Sequence, residues 1–285
     1  MRAAPGYTPA VPSPARARSR RVRRRAKGEP RAPAGGGRRG IRWGRVGLVA
    51  VLGLLAGALA YWVSLPSAEP LRTSNPHTTA LIEARAQEAR KSGRAARRNQ
   101  HWVALGRISP WLSRAVVNSE DARFFQHHGF DEVETGAALE QAVANGKLGR
   151  GASTLTQQLA KNLWLGEQRS LWRKVKEYVL ARRLEVLGKD RILELYLNVA
   201  EWGDGIYGAD AAARVWFKKP AADLQPEEAA ILAAMLPAPR HRNPRRPSAH
   251  LRERAARVLA LYKMYHQLSP DELAAAQARL RALLG

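Results

Sequence analysis

A long apolar run lies near the N-terminus of the chain. Residues Val46–Val63 contain no charged side chain over 18 positions. As an α-helix this run would span about 27 Å, close to the roughly 30 Å thickness of a bilayer's hydrocarbon core. Tyr61 and Trp62 lie at its far end, where amphipathic aromatic side chains favour the membrane interface. The pattern predicts a membrane-spanning anchor over 46–63, with a cleavable signal peptide as the alternative.

Beyond residue 101, apolar residues recur at three- and four-residue spacing, which is typical of amphipathic helices. No stretch alternates convincingly between apolar and polar residues with a period of two. The spacing predicts helices over Ala137–Asn145, Thr154–Leu165, Leu171–Leu187, Arg191–Val199, Pro226–Leu236 and Ala249–Gln267. Ser269 and Pro270 are typical of an N-cap and first helical position, so a further helix is predicted there. We expect a connecting segment over 64–100, in which Thr79–Arg98 has a helical composition, followed by one mostly α-helical domain over 101–285.

The charge distribution adds a topology to this picture. The chain has 285 residues and a formal net charge of +24. Residues 1–45 carry 14 basic residues and one acidic residue, and they are rich in Pro, Gly and Ala. Such a composition cannot bury a core, so we expect a disordered basic tail. Because basic flanks stay cytoplasmic, the tail predicts a cytoplasmic N-terminus and a domain on the outer, periplasmic face of the cytoplasmic (inner) membrane.

Composition also excludes several classes of partner and site. The chain contains no cysteine, so neither a disulfide framework nor a thiolate metal site is available. The basic tail has no interleaved aromatic residue beyond Tyr7 and no recognisable nucleic-acid-binding fold. We therefore expect no nucleic-acid partner, although a membrane-tethered scaffold remains a non-enzymatic alternative.

A first candidate site lies in the segment 118–129. If this segment is helical, Glu120, Phe124 and His127 share one face because they are spaced i, i+4, i+7. A carboxylate beside an aromatic ring and an imidazole is a candidate general base, since a partly apolar wall raises a carboxyl pKa. The alternative is a capped helix end with a surface acid.

A second candidate site lies in the segment 151–162, which follows a flexible stretch over 149–151. Ser153 or Thr154 is a suitable N-cap there. Thr154, Gln158 and Lys161 fall on one helix face near its N-terminus, an arrangement that suits an anionic, oxygen-rich ligand. The alternative is a solvated polar face.

A third candidate site lies in the segment 169–177. Arg169, Arg173 and Glu177 share one helix face, with Lys174 beside them. Arg173 and Glu177 can form a surface ion pair that contributes about 0.3–0.5 kcal/mol. The functional alternative is a cation cluster for phosphate, in which Glu177 orients an arginine or holds a divalent ion.

Two further segments read as framework. Ile192, Leu193, Tyr196 and Leu197 form an apolar helical stripe within 189–198, and a glycine-rich turn follows over 201–208. The segment 236–244 ends a helix in a rigid basic loop rich in proline.

Together and in this order, these segments resemble the glycosyltransferase domain of peptidoglycan synthases, the transglycosylase domain of class A penicillin-binding proteins. The family patterns E-D-x-x-F-x-x-H-x-G, G-x-S-T-x-x-Q-Q, R-K-x-x-E and K-x-x-I-L-E-x-Y-L-N match Glu120–Gly129, Gly151–Gln158, Arg173–Glu177 and Lys189–Asn198 at every defining position. The basic loop is a looser match. No transpeptidase motif follows, so the resemblance implies a monofunctional biosynthetic enzyme with a lysozyme-like, mostly helical fold.

The resemblance implies an inverting glycan polymerase. A growing chain on polyprenyl pyrophosphate would be transferred to the 4-hydroxyl of lipid II, which forms a β-1,4 linkage. It implies that Glu120 is the base and that Glu177 is the second catalytic carboxylate, near the pyrophosphate. The implied substrate-binding residues are Lys161, Arg173 and Lys174 for the pyrophosphate, and Asp121, Phe124, His127, Thr154 and Gln158 for the shape of the site.

The same resemblance implies partners and a cofactor. Lipid II, the lipid-linked glycan chain and the membrane are expected partners, together with cell-wall synthesis or division proteins. A divalent cation, Mg²⁺ or Mn²⁺, is associated with the family, with Glu177 as its candidate ligand; no organic cofactor is implied. The alternative is a peptidoglycan-cleaving enzyme, a lytic transglycosylase or lysozyme, which has the same fold class but no need for a cation cluster.

Overall fold

The N-terminal helix has the properties predicted for a membrane span. The computed structural model describes residues 43–145, 153–166 and 170–285, so the predicted tail lies outside the described residues up to position 42. Helix α1, Trp43–Ser64, includes the whole predicted span and leaves its apolar side chains exposed. It is long and apolar enough to cross a membrane. A single N-terminal anchor helix is therefore supported.

The chain from Ala58 onward forms one compact unit that is mostly α-helical, which confirms the predicted fold class. Its described helices are α2 (Ala80–Lys91), α3 (Pro110–Glu120), α4 (Glu132–Asn145), α5 (Leu155–Ala160), α6 (Leu171–Leu184), α7 (Lys189–Val199), α8 (Ala209–Phe217), α9 (Pro226–Met235), α10 (Ala249–Met264) and α11 (Pro270–Leu284). A π-helical turn, Lys161–Leu165, extends α5, and a 3-10 turn, Glu185–Leu187, extends α6.

Polar caps set where these helices begin. Ser269 accepts a hydrogen bond from the backbone of Glu272, whose carboxylate accepts one in return from the backbone of Ser269, so the predicted N-cap is confirmed. Thr154 forms the same reciprocal box with Gln157, which makes it, rather than Ser153, the N-cap of α5. Each box satisfies amide groups that the first turn of a helix leaves without partners.

The sequence pattern missed two helices and a small sheet. α3 and α8 were not predicted. Strands β1 (Asn99–Gln100), β2 (Glu201–Gly203) and β3 (Ile206–Tyr207) are arranged in the order β1-β3-β2, with β3 parallel to β1 and antiparallel to β2. Strands of two or three residues are too short to show a period of two. The predicted glycine-rich turn is the β2–β3 hairpin, and Gly205 adopts a φ of +73° at its tip.

Helix α9 lies at the centre of the unit and positions the site. Every residue of α9 is buried, and it packs against α3, α10 and α11. α3 and α10 also pack against each other, while α5 packs against α6 and α7. The last residue of α3, Glu120, is hydrogen-bonded to side chains of both α5 and α10.

Candidate active site

Glu120 is the last residue of α3 and lies in a polar cavity. The helix is anchored by fully buried apolar side chains such as Leu112 and Val116. The Glu120 side chain is 12% exposed. It lines a cavity of about 210 Å³ together with Asp121, Asp131, Glu134, Ser153 and Thr154 among others. A rigid helix thus presents a mostly buried carboxylate at a cleft.

Both oxygens of the Glu120 carboxylate have partners. Arg254, on α10, donates from Nη2 to Oε1 at 2.8 Å. Gln158, on α5, donates from Nε2 to Oε2 at 3.2 Å. The Gln158 amide oxygen in turn accepts from the Tyr196 hydroxyl at 2.9 Å. Side chains from three helices therefore fix the orientation of this carboxylate.

The electrostatic environment of Glu120 favours a base. Burial raises the pKa of Glu120, and the charges of Arg254 and Arg242 together with hydrogen bonds from Gln158 and Arg254 oppose that rise without cancelling it. Burial also raises the pKa of Tyr196 well above its usual range, so that phenol remains a hydrogen-bond donor. A carboxylate with a raised pKa binds a proton more readily, as general-base catalysis requires.

The segment after Glu120 leaves the helix, so its residues do not share a helix face with Glu120. Asp121 accepts hydrogen bonds from His127 Nε2 at 2.9 Å and from the backbone N–H of Leu155, the first residue of α5, at 2.8 Å. Phe124 is fully buried in the core. These residues tie the end of α3 to the start of α5. Their role in shaping the substrate site stays a prediction.

The second predicted group extends from the N-cap of α5 to the π-helical turn that follows it, and comprises Thr154, Gln158 and Lys161. The Thr154 hydroxyl donates to the carbonyl oxygen of Gly129 at 2.8 Å, so it secures the segment that carries Phe124 and His127. Gln158 contacts Glu120 directly. Lys161 begins the π-helical turn, which packs against α6, and its side chain is half-buried. Gly151 lies outside the described residues.

The third predicted group forms a buried carboxylate with two cations. Glu177, on α6, is 4% exposed; its Oε2 accepts from Arg173 Nη1 at 2.6 Å, and its Oε1 accepts from Lys174 Nζ at 2.5 Å. Lys174 Nζ also donates to Ser153 Oγ at 2.9 Å. Ser153 also lines the Glu120 cavity, so this contact links the cation pair to a residue of that cavity. Arg169 lies outside the described residues.

Glu177 does not fit the role of a metal ligand as the side chains are arranged. Each of its oxygens already accepts a hydrogen bond from a cationic group. In the described residues, Asp121, His127 and Asp131 are the group whose ligand atoms lie within 4.8 Å of one another. Asp121 is engaged by two donors, and Arg123 Nε lies 3.6 Å from Asp131. Asp131 Oδ2 is buried without a hydrogen-bond partner, but the charge of Arg123 beside it disfavours a divalent cation. The charges of Arg173 and Lys174 beside Glu177 disfavour one there in the same way.

Sequence reasoning missed two arginines at this site. Arg254 lies within a predicted helix but 134 positions from Glu120, and no local pattern links them. Arg242 belongs to the basic loop, where Nη1 donates to the carbonyl oxygen of Ala234 at 2.6 Å. Its charge nevertheless acts on Glu120. The basic character of the loop was the one signal available for it.

Comparisons with known proteins cover the whole of this site. A family model described as Transglycosylase matches residues 86–265. A biosynthetic peptidoglycan transglycosylase of Laribacter hongkongensis (strain HLHK9) is 42% identical over 217 residues, which cover 72% of this chain and 91% of the relative. A protein of the same description from Rhodospirillum centenum (strain ATCC 51521 / SW) is 53% identical over 161 residues, which cover 56% of this chain and 69% of the relative.

Proposed function

Because the chain belongs to the transglycosylase family, whose matched members are biosynthetic peptidoglycan transglycosylases, we propose that it polymerises peptidoglycan strands from lipid II. The chain is a peptidoglycan glycosyltransferase. One observation supports the substrate most directly. The cavity of the nearly buried candidate base, Glu120, is lined by Ser153, which accepts a hydrogen bond from Lys174, one of the two cations that Glu177 holds. An acceptor hydroxyl needs the base, and a departing pyrophosphate needs the cations.

Glu120 performs the proton transfer in this proposal. The 4-hydroxyl of lipid II attacks the anomeric carbon of the donor sugar from the face opposite the pyrophosphate, so the configuration inverts. Glu120 takes the hydroxyl proton as the new glycosidic bond forms. Each carboxylate oxygen has two lone pairs and uses one for Arg254 or Gln158. Lone pairs therefore remain for the acceptor.

The cation cluster stabilises the leaving group. As the bond between the anomeric carbon and the pyrophosphate oxygen breaks, its electron pair remains on the polyprenyl pyrophosphate. Arg173 and Lys174 supply positive charge for that anion, and Lys161 lies on the turn that packs against their helix. Glu177 holds the two α6 cations in position. The product is a chain one disaccharide longer, carried on the acceptor's lipid.

A divalent cation has no assigned step in this mechanism. When bound, such an ion would supply positive charge to a pyrophosphate. The positive charges of Arg173 and Lys174 at Glu177 oppose the binding of a divalent cation there. Polymerisation measured in EDTA and then with added Mg²⁺ or Mn²⁺ tests whether an ion contributes. A strict metal requirement would mean that the ion binds to other groups, or that Glu177 binds it in an arrangement different from its present pairing with Arg173 and Lys174.

One assay separates synthesis from cleavage. We expect the full chain in detergent to convert labelled lipid II into glycan polymer and to leave finished glycan strands intact. A cleaving enzyme acts on a substrate without pyrophosphate and needs no cluster such as Arg173, Lys174 and Glu177. Cleavage of finished strands without any polymer from lipid II would overturn the proposal.

The pH dependence of polymerisation should report Glu120. Burial raises the pKa of Glu120 above its ordinary value of 4.5. The base is therefore protonated at a higher pH than an exposed glutamate, and kcat/KM should fall about tenfold per pH unit below the raised pKa. The measurement is the rate of polymer formation between about pH 4.5 and 8. A rate that stays constant down to the ordinary glutamate value would contradict it.

We also propose that the domain lies on the outer face of the inner membrane, with a cytoplasmic N-terminus, where cell-wall synthesis or division proteins would be its partners. The apolar α1 and the basic residues before it support this orientation. The chain lacks cysteine, so one substitution introduces a single label site. In spheroplasts an impermeant maleimide should label Ala275→Cys, on an exposed position of α11, but not Ala15→Cys in the tail. The reverse labelling would invert the topology.

A further inference from the structure

Arg254 reaches Glu120 from a distant part of the chain. It lies on α10, which packs against both α3 and α9 and so stands beside the last turn of α3. Its side chain is 25% exposed, and Nη2 donates to Glu120 Oε1 at 2.8 Å. Among the described residues no other hydrogen bond of this guanidinium is found, and its Nε is buried without a partner. Within the described part of the chain, this guanidinium bonds to a side chain and to no backbone carbonyl, so it does little to secure the fold. Its contact with Glu120 therefore has another role.

The neutral groups around Glu120 come from two other helices. Gln158, on α5, donates to the second carboxylate oxygen. Tyr196, on α7, orients the Gln158 amide through its hydroxyl. These contacts fix the geometry of one oxygen but bring no charge. The hydrogen bond from Gln158 lowers the pKa of Glu120, but the charge of Arg254 lowers it more.

Burial and positive charge act on Glu120 in opposite directions. Burial disfavours its ionised form, in a cavity that Asp131 and the α4 residue Glu134 also line. On the positive side, Arg242 is held by the carbonyl oxygen of Ala234 and acts from a distance. Arg254 is the cation in hydrogen-bond contact.

We infer that Arg254 is a positioning residue for glycosyl transfer, which aims the Glu120 carboxylate at the acceptor and keeps it ionised in a cavity lined by other acids. The inference rests on the proposed role of Glu120 as the base. Arg254 itself takes no proton and touches no reacting atom. Its loss should therefore change the protonation of Glu120 more than the binding of lipid II.

The experiment compares three variants of the full chain in detergent. Arg254→Gln removes the charge, and Arg254→Lys keeps it. Arg257→Gln removes a charge from the same helix at an exposed position, where the partner is Glu253 at 3.8 Å. For each variant we would measure kcat and KM for lipid II across the pH range. The titration of the Glu120 carboxyl would be followed by ¹³C NMR, with its signal assigned by its loss in Glu120→Gln.

In Arg254→Gln, the acidic limb of the rate profile and the Glu120 titration should both move to higher pH. Near neutral pH, kcat should fall about ten- to a hundredfold, the effect of losing a hydrogen bond between charged groups, with KM nearly unchanged. Arg254→Lys should recover most of the rate and a pH limb close to that of the unmodified chain. Arg257→Gln should behave as the unmodified chain does.

An unshifted Glu120 titration in Arg254→Gln would overturn the inference even if the rate fell, since a purely structural role predicts that result. If Arg254→Gln does not fold, Arg254→Lys is compared with the unmodified chain. A lower rate in Arg254→Lys with an unshifted Glu120 titration would then overturn the inference as well. Failure of the proposed function is distinguishable. If the unmodified chain makes no polymer, the proposed role of Glu120 as the base fails. The NMR titration still reports whether Arg254 controls the ionisation of that carboxyl.

Discussion

Replacing Glu120 with glutamine should abolish polymer formation while the protein remains folded and able to bind lipid II. The amide is nearly isosteric with the carboxylate, and its oxygen can still accept the hydrogen bond from Arg254. It cannot accept the acceptor's proton. Positioned general bases contribute about 10²- to 10⁴-fold to a rate, so kcat should fall by a factor in that range. Gel analysis of polymer from labelled lipid II measures the loss.

A matched change at an exposed acid provides the control for Glu120. Glu253→Gln, on α10, alters a side chain that is 66% exposed and should leave the rate unchanged. Because burial disfavours the ionised form of Glu120, the Glu120→Gln variant should unfold at a temperature no lower than that of the unmodified chain. Normal glycan synthesis by Glu120→Gln would remove this residue from the role of base.

Most of the helices could be predicted from the sequence, and the short helices α3 and α8 were missed. The start of α11 carries its own instructions in Ser269, Pro270 and Glu272, and it begins where predicted. α3 was missed although Pro110 stands at its first position and Leu112, Ala115 and Val116 recur at three- and four-residue spacing, so its local signal was present. Strands β2 and β3 are joined by the local hairpin around Gly205, whereas the pairing of β3 with β1 joins residues far apart in the sequence.

Helical spacing identified which residues lie together but not what covers them. Arg173 and Glu177 form the expected i, i+4 pair, yet Glu177 is almost fully buried, so the interpretation as an exposed surface pair is wrong. The prediction that Glu120, Phe124 and His127 share one helix face required a helix that continues to His127. Instead, α3 ends at Glu120. The chain turns there, and Phe124 enters the core. Burial depends on packing between helices, which a single helix's pattern does not contain.

Long-range contacts account for what the sequence left out of the site. Arg254 meets Glu120 because α9 holds α3 and α10 together, an arrangement that only the folded chain shows. The motif-bearing residues, by contrast, lie within about 60 positions of one another along the chain, from Glu120 to Glu177. Their order along the chain was enough to predict that they form one site. Arg254, the cation in contact with Glu120, lies outside that segment of the chain.

Glu177→Gln should have the second large effect, through the cations rather than through a proton. The buried carboxylate accepts hydrogen bonds from both Arg173 and Lys174 and offsets part of their combined positive charge. An amide offers them one oxygen and no charge, so the two cations repel each other and lose the orientation that a pyrophosphate requires. We expect kcat to fall about 10²-fold or more. The free energy of unfolding should fall by about 1–3 kcal/mol, because a buried charged partner is removed.

The control for Glu177 is a comparable ion pair next to the same helix. Glu185→Gln breaks the contact between Glu185 and Lys189, whose side chains are 12% and 17% exposed, and it lies outside the cation cluster. It should lower stability without a comparable loss of rate. Polymerisation and chemical denaturation, measured on both variants, separate the two effects. The contrary result is that Glu177→Gln loses only as much activity as Glu185→Gln at a matched loss of stability. That result would mean that the Glu177 carboxylate serves the fold alone. The positive charge for the pyrophosphate would then have to come from cations that do not depend on Glu177.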